Sequence, residues 1–174
     1  MKCARMECQK EASGKSKYCP ECGKIAHQKW LEMIRAKSSE RQEKTAGFEK
    51  LWSEALAAGT AAGEAVKPQG MLVIQHKNPM DDSSKVVQSW DVPEGPCGFA
   101  WVVVRPGGCS FARWVKANQA KLDQHVFKEY YGGMTVYYVH EFGQSIQRKT
   151  AFAHAFAEVL NKAGIKAHSM SRMD

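Results

Sequence analysis

The chain has no long hydrophobic run. Nowhere in its 174 residues does a window approach the roughly 18 consecutive apolar residues of a membrane span, and the longest apolar stretch, Phe99 to Val104, stops at Arg105. Met1 to Gln9 carries two cysteines and alternating charge where an export signal needs an apolar core. The expectation is therefore a cytoplasmic protein with reduced thiols and no membrane contact. Internal repeats are also missing. So are a phosphate-binding Gly loop, His-Glu-x-x-His, Gly-x-Ser-x-Gly and any paired-carboxylate signature, so the reading leans away from an enzyme and assigns no catalytic residue.

What is present is ordinary globular composition, 44% hydrophobic and 25% charged, at a length that suits one domain plus a small appendage. A net charge of +7 and a pI near 9.1 favour anionic partners. The excess is uneven. Residues 1–50 hold 12 Lys and Arg against 7 Asp and Glu, whereas residues 51–174 hold 13 against 11.

Four of the six cysteines lie in the first 23 residues, where large apolar side chains are almost lacking and a hydrophobic core cannot form. A metal has to hold this piece together. The spacing Cys3-x4-Cys8-x10-Cys19-x2-Cys22 suits one structural Zn²⁺ in tetrahedral sulfur coordination: each pair chelates from a turn, and the ten-residue excursion brings the pairs together. Cys22 opens a helix, whose first-turn N–H groups stabilise thiolate charge. This Cys-x2-Cys knuckle followed by a helix resembles treble-clef zinc fingers, a resemblance that covers residues 3 to about 35 and implies a scaffold rather than an activity. Lys24, Lys29 and Arg35 lie on the helix and suit phosphate contacts with little sequence preference; the alternative is a solvated helix surface interleaved with Glu32, Glu40 and Glu43.

Along the chain, a helix is expected from Pro20 to about Lys44, with Ala26, Trp30, Met33 and Ile34 as its apolar stripe. Gly47 marks a break before a second helix, Phe48 to Ala58, carrying Phe48, Leu51, Trp52, Ala55 and Leu56 on one face. Residues 59–70 are rich in Gly and Ala and read as a linker, which divides the chain into 1–58 and 71–174. Beyond it the period changes to two. Met71–His76, Val86–Val92, Cys97–Arg105 and Met134–His140 read as strands, and the third, apolar on both alternating sets, reads as a central strand covered on both faces. Ser110 is the expected N-cap of a helix that turns Arg113 and Lys116 to solvent, residues 145–163 form another helix, and Ile165–Met170 closes the sheet as an edge strand. The fold class is α+β: a zinc finger with a long helix, then a mixed or antiparallel sheet of four or five strands covered by two helices.

The turn Gly143-Gln144-Ser145 before Arg148 and Lys149 places basic side chains at a helix N-terminus, an arrangement that binds anions. It is similar to the closing unit of double-stranded RNA-binding domains, although the helix between the third and fourth strands departs from that family's order. Arg172 follows the last strand and extends the same basic set. The stretch from Gly98-Phe99-Ala100-Trp101 to Ser171-Arg172-Met173-Asp174 resembles small proteins encoded by tailed bacteriophages, which implies a bacterial host cytoplasm. The sequence thus points to a zinc protein that binds DNA or RNA. Two alternatives stand beside it: a module that engages a host protein through Trp30, Met33 and Trp52, and a small hydrolase or nuclease built on Cys97, His140 and neighbouring carboxylates.

Overall fold

The structure, a computed structural model, describes residues 2–5, 7–12 and 15–174. The fold is α+β, with three helices and two antiparallel sheets among the described residues. It divides into two compact units, Met1–Gly47 and Phe48–Asp174.

Helix α1 runs without interruption over Pro20–Ala65 and contributes to both units. Pro20 suits the first helical position because its missing N–H has no partner there, and Glu21 complements the N-terminal dipole. The expected break at Gly47 does not occur: a single exposed glycine costs a helix only about 1 kcal/mol, and the turns on either side continue through it. Nor are residues 59–65 a linker. A Cβ at Gly59 would lie 2.9 Å from the ring of Phe152, and one at Gly63 would collide with the ring of Phe142. The small residues that look flexible in sequence are those that let the helix approach its neighbours closely.

In the second unit, strands β1 (Met71–His76) and β2 (Val86–Val92) form a separate two-stranded hairpin, Met71 pairing with Val92 and Val73 with Trp90. They do not join the main sheet, contrary to the sequence expectation. That sheet contains β3 (Gly98–Val104), β4 (Phe127–Lys128), β5 (Met134–Tyr138) and β6 (Ala167–Met173) in the order β4-β5-β3-β6, all antiparallel. With helix α2 (Ser110–Ala117) between β3 and β4 and helix α3 (Ile146–Lys162) between β5 and β6, the unit has the split β-α-β-β-α-β arrangement, which hosts many unrelated functions.

The core lies on one face of this sheet. Ala100, Val102 and Val104 of β3 and Val136 and Tyr137 of β5 pack under Phe111 and Val115 of α2, Phe152, Phe156 and Leu160 of α3, and Trp52 and Ala55 of α1. Tyr137 stacks on Phe152 and Phe156 with ring centroids 5.2 and 4.9 Å apart. Three helical segments therefore cover this face, one more than expected. On the other face of β3, Val103 and its partner Thr135 are buried, whereas Phe99 and Trp101 are half-buried and stand apart from the core cluster. Here the apolar pattern of a doubly covered strand is met by one helical layer only.

Two caps differ from expectation. Cys109 precedes α2 in extended conformation, and its Sγ accepts a hydrogen bond from the backbone N–H of Ala112 at 3.4 Å, so the thiol takes the capping place expected of Ser110. Ser145 does precede α3, but its hydroxyl is buried, has no partner among the described residues and makes no capping bond.

Candidate metal centre

The N-terminal segment is ordered by backbone bonds that converge on its cysteines. Lys2 pairs with Glu11 in an antiparallel bridge, the N–H of Cys3 donates to the carbonyl of Lys10 at 3.1 Å, and that of Ala4 to the carbonyl of Lys17 at 2.9 Å. A turn closes with the N–H of Cys8 on the carbonyl of Arg5, also at 2.9 Å. Cys19 sits immediately before α1 and Cys22 in its first turn, with the Gly23 N–H on the Cys19 carbonyl at 2.8 Å. The excursion between the pairs is thereby folded back on itself, and the four sulfur atoms of Cys3, Cys8, Cys19 and Cys22 all lie within 4.8 Å of one another. Cys3, Cys19 and Cys22 are buried and Cys8 is half-buried.

The donor set fits one zinc ion. Four thiolates at about 2.3 Å from a tetrahedral centre stand about 3.8 Å apart, and the Cys8 and Cys19 sulfurs are 3.7 Å apart. The electrostatics agree. The Cys3 thiol is lowered to about 7 by backbone N–H groups of Arg5 and Cys19, and Cys19 is lowered chiefly by the backbone N–H of Cys22. Cys22 is pushed up to about 12, because its proton is held against the sulfur of Cys19 and it is buried among the other two. Donors that stabilise negative sulfur are in place at Cys3 and Cys19, and a bound cation would favour the thiolate form of Cys22.

Around this centre the basic side chains point outward. All 11 Lys and Arg of residues 1–47, including Lys24, Lys29 and Arg35, are exposed. Lys10 is paired with Glu21 at 2.6 Å and Lys44 with Glu40 at 2.6 Å; among the described residues Lys24, Lys29 and Arg35 have no carboxylate within salt-bridge distance. The apolar stripe of this helical segment is exposed too, with Trp30 at 51% and Met33 and Ile34 each at 44%.

The C-terminal basic set does not assemble as one site. Arg113 and Lys116 are exposed on α2, and Gln144 and Arg172 are exposed as well. Ser145 and Lys149 are buried, and the Lys149 ammonium donates to the carbonyl of Gly98 at 3.3 Å, so it is spent inside the unit. Arg148 pairs with Glu94 at 3.3 Å. A helix start whose nearest cations are already engaged has little left for an external phosphate. Cys97 bridges Ser145 beside β3, and His140 lies on the surface near Tyr138, sharing a cleft with Asp123, Gln124 and His125. Trp52 is buried in the core and offers nothing to a partner.

The feature that the sequence reading passed over is the pair Phe99 and Trp101. Their signal was visible, as two aromatics at alternate positions of a strand already apolar on its other set. Among the described residues no helix is long and apolar enough to cross a membrane. No protein-family model, curated protein or solved structure matches the chain, so its chemistry is read from its own residues.

Proposed function

We propose that this is a small zinc-stapled protein that acts by binding nucleic acid. The observation that carries the reading is the first unit's surface: 11 exposed Lys and Arg against six Asp and Glu, arranged around a buried four-sulfur cluster. Zinc with four thiolates carries a charge of −2 and reduces the surplus of five to three, which still leaves the unit cationic. Cys3, Cys8, Cys19 and Cys22 would hold the ion, which closes the fold and, with four protein ligands, keeps no open position for water. Lys24, Lys29 and Arg35 would then meet phosphates without reading sequence. On the resemblance to small tailed-bacteriophage proteins, the proposed setting is the cytoplasm of a bacterial host.

The test is a binding titration of zinc-loaded protein beside a Lys24→Ala/Arg35→Ala variant, with metal content determined on both. The expected result is one zinc per chain in each, and a variant that binds all sequences more weakly and with a shallower salt dependence. Equal binding by both proteins would remove these residues from the interface.

A second reading has its own observation. Trp30, Met33 and Ile34 form an exposed apolar patch on α1, of the kind that anchors protein partners. Binding there would be far less sensitive to salt than phosphate contact.

A further inference from the structure

Strand β3 is apolar on both faces and covered by helices on one. Phe99, Trp101 and Val103 alternate with its core residues; Val103 is buried, whereas Phe99 and Trp101 are half-buried and stand outside the core cluster. β3 and β5 are the two central strands of the sheet, and Tyr138 on β5 lies directly opposite Trp101. The Trp101 and Tyr138 rings are stacked with centroids 6.3 Å apart, and the Phe99 ring is 6.2 Å from Tyr138. All three are half-buried, each shielding its neighbours' flanks while part of the cluster meets solvent. The indole N–H of Trp101 is buried and, among the described residues, has no acceptor.

Charges of both signs lie beside the cluster, with cations against its Phe99 edge. Arg172 on β6 lies across from Phe99, its guanidinium carbon 5.8 Å from the ring centroid. The Lys149 ammonium sits 5.7 Å from the same ring. His140 lies 5.4 Å from Tyr138, and His168 stands opposite Val103. Of the carboxylates, Glu129 is taken by the hydroxyl of Thr135, and Asp174, one residue past β6, acts on Tyr138 from the same side as Arg172. Flat aromatic rings next to an exposed guanidinium complement a ligand that carries flat π-systems and negative charge together. Unpaired nucleotides have both, whereas a duplex hides the faces of its bases.

We propose that this open sheet face is a platform for single-stranded nucleic acid, with bases stacking on Phe99, Trp101 and Tyr138 and phosphate reaching Arg172. The inference rests on the nucleic-acid reading above and gives it a second, base-dependent surface in the second unit.

The experiment titrates full-length, zinc-loaded protein with a fluorescent 12-nucleotide oligothymidine, with a 12-nucleotide strand of the same backbone lacking bases throughout, and with a 12-base-pair duplex, at one salt concentration. The platform predicts that the strand with bases binds at least tenfold more tightly than the abasic strand. It also predicts that Trp101→Leu or Phe99→Leu brings the two to the same affinity. Equal binding of intact and abasic strands by the native protein overturns the platform and leaves the phosphate reading standing; no binding of any of the three overturns both. The comparison within the native protein decides the matter even if a variant fails to fold.

Discussion

Trp101 and Tyr138 stand opposite one another on β3 and β5, their ring planes 9° apart, outside the core cluster. Stacking needs the ring and not the phenol hydroxyl, which has no hydrogen-bond partner among the described residues. Tyr138→Phe should therefore bind single strands as the native protein does, while Tyr138→Ala should bind them about tenfold more weakly, as stacking on one aromatic is typically worth about 1–3 kcal/mol. Fluorescence anisotropy measures both. A phenylalanine variant as weak as the alanine one would shift the role from the ring to the hydroxyl.

The glycines of α1 should split by position. Gly47 has nothing within 4 Å of where a Cβ would stand, so Gly47→Ala should stabilise the chain by about 1 kcal/mol through helix propensity alone. Gly59 abuts the fully buried ring of Phe152, so Gly59→Val should destabilise it by about 1–3 kcal/mol through overpacking. Urea denaturation of the two variants reads the contrast, and an unaffected Gly59→Val would mean that this end of α1 stands off from α3.

The two exposed-looking tryptophans of the sequence have opposite fates. Trp52 packs against Phe111, Tyr137 and Phe156, so Trp52→Ala should cost about 3–5 kcal/mol of stability. Trp30 is 51% exposed, and Trp30→Ala should leave stability within about 0.5 kcal/mol of the native value. Thermal melts in the presence of zinc separate them.

Metal binding should be steeply dependent on pH. Coordination requires four thiolates; Cys3 is lowered to about 7, but Cys22 is pushed up to about 12 in the metal-free cluster, so at neutral pH the ion must displace at least the Cys22 proton. Adding zinc to the metal-free protein in weak buffer should thus release protons, and affinity should rise with pH and collapse on acidification below about 6. Cys22→Ser should bind zinc much more weakly than the native chain at every pH. Proton uptake, or affinity flat with pH, would contradict the four-thiolate site.

Much of this structure was legible in the residues, and the failures have physical reasons. Cysteine spacing, together with the want of apolar side chains around it, led to the four-sulfur cluster because so few geometries satisfy both. The Phe152, Phe156 and Leu160 stripe of α3 and the central place of β3 followed from periodicity. Gly47 is helical because its neighbouring turns carry it, and the first part of the expected linker at 59–70 is helical because composition does not distinguish a flexible glycine from one pressed against Phe152 or Phe142. The separation of the β1–β2 hairpin from the main sheet depends on long-range pairing, which no local pattern records. Lys149 looked like a phosphate ligand because its reach back to Gly98 crosses 51 residues of sequence.

The central claim is that zinc-loaded protein binds nucleic acid through phosphate contacts. The most direct test is equilibrium titration of fully metallated protein with single- and double-stranded DNA and RNA at 50 and 200 mM salt. The account predicts binding at the lower salt that weakens several-fold or more at the higher one, because each neutralised phosphate releases counterions. Absence of binding to all four nucleic acids at 50 mM salt, by protein carrying one zinc per chain, would contradict it.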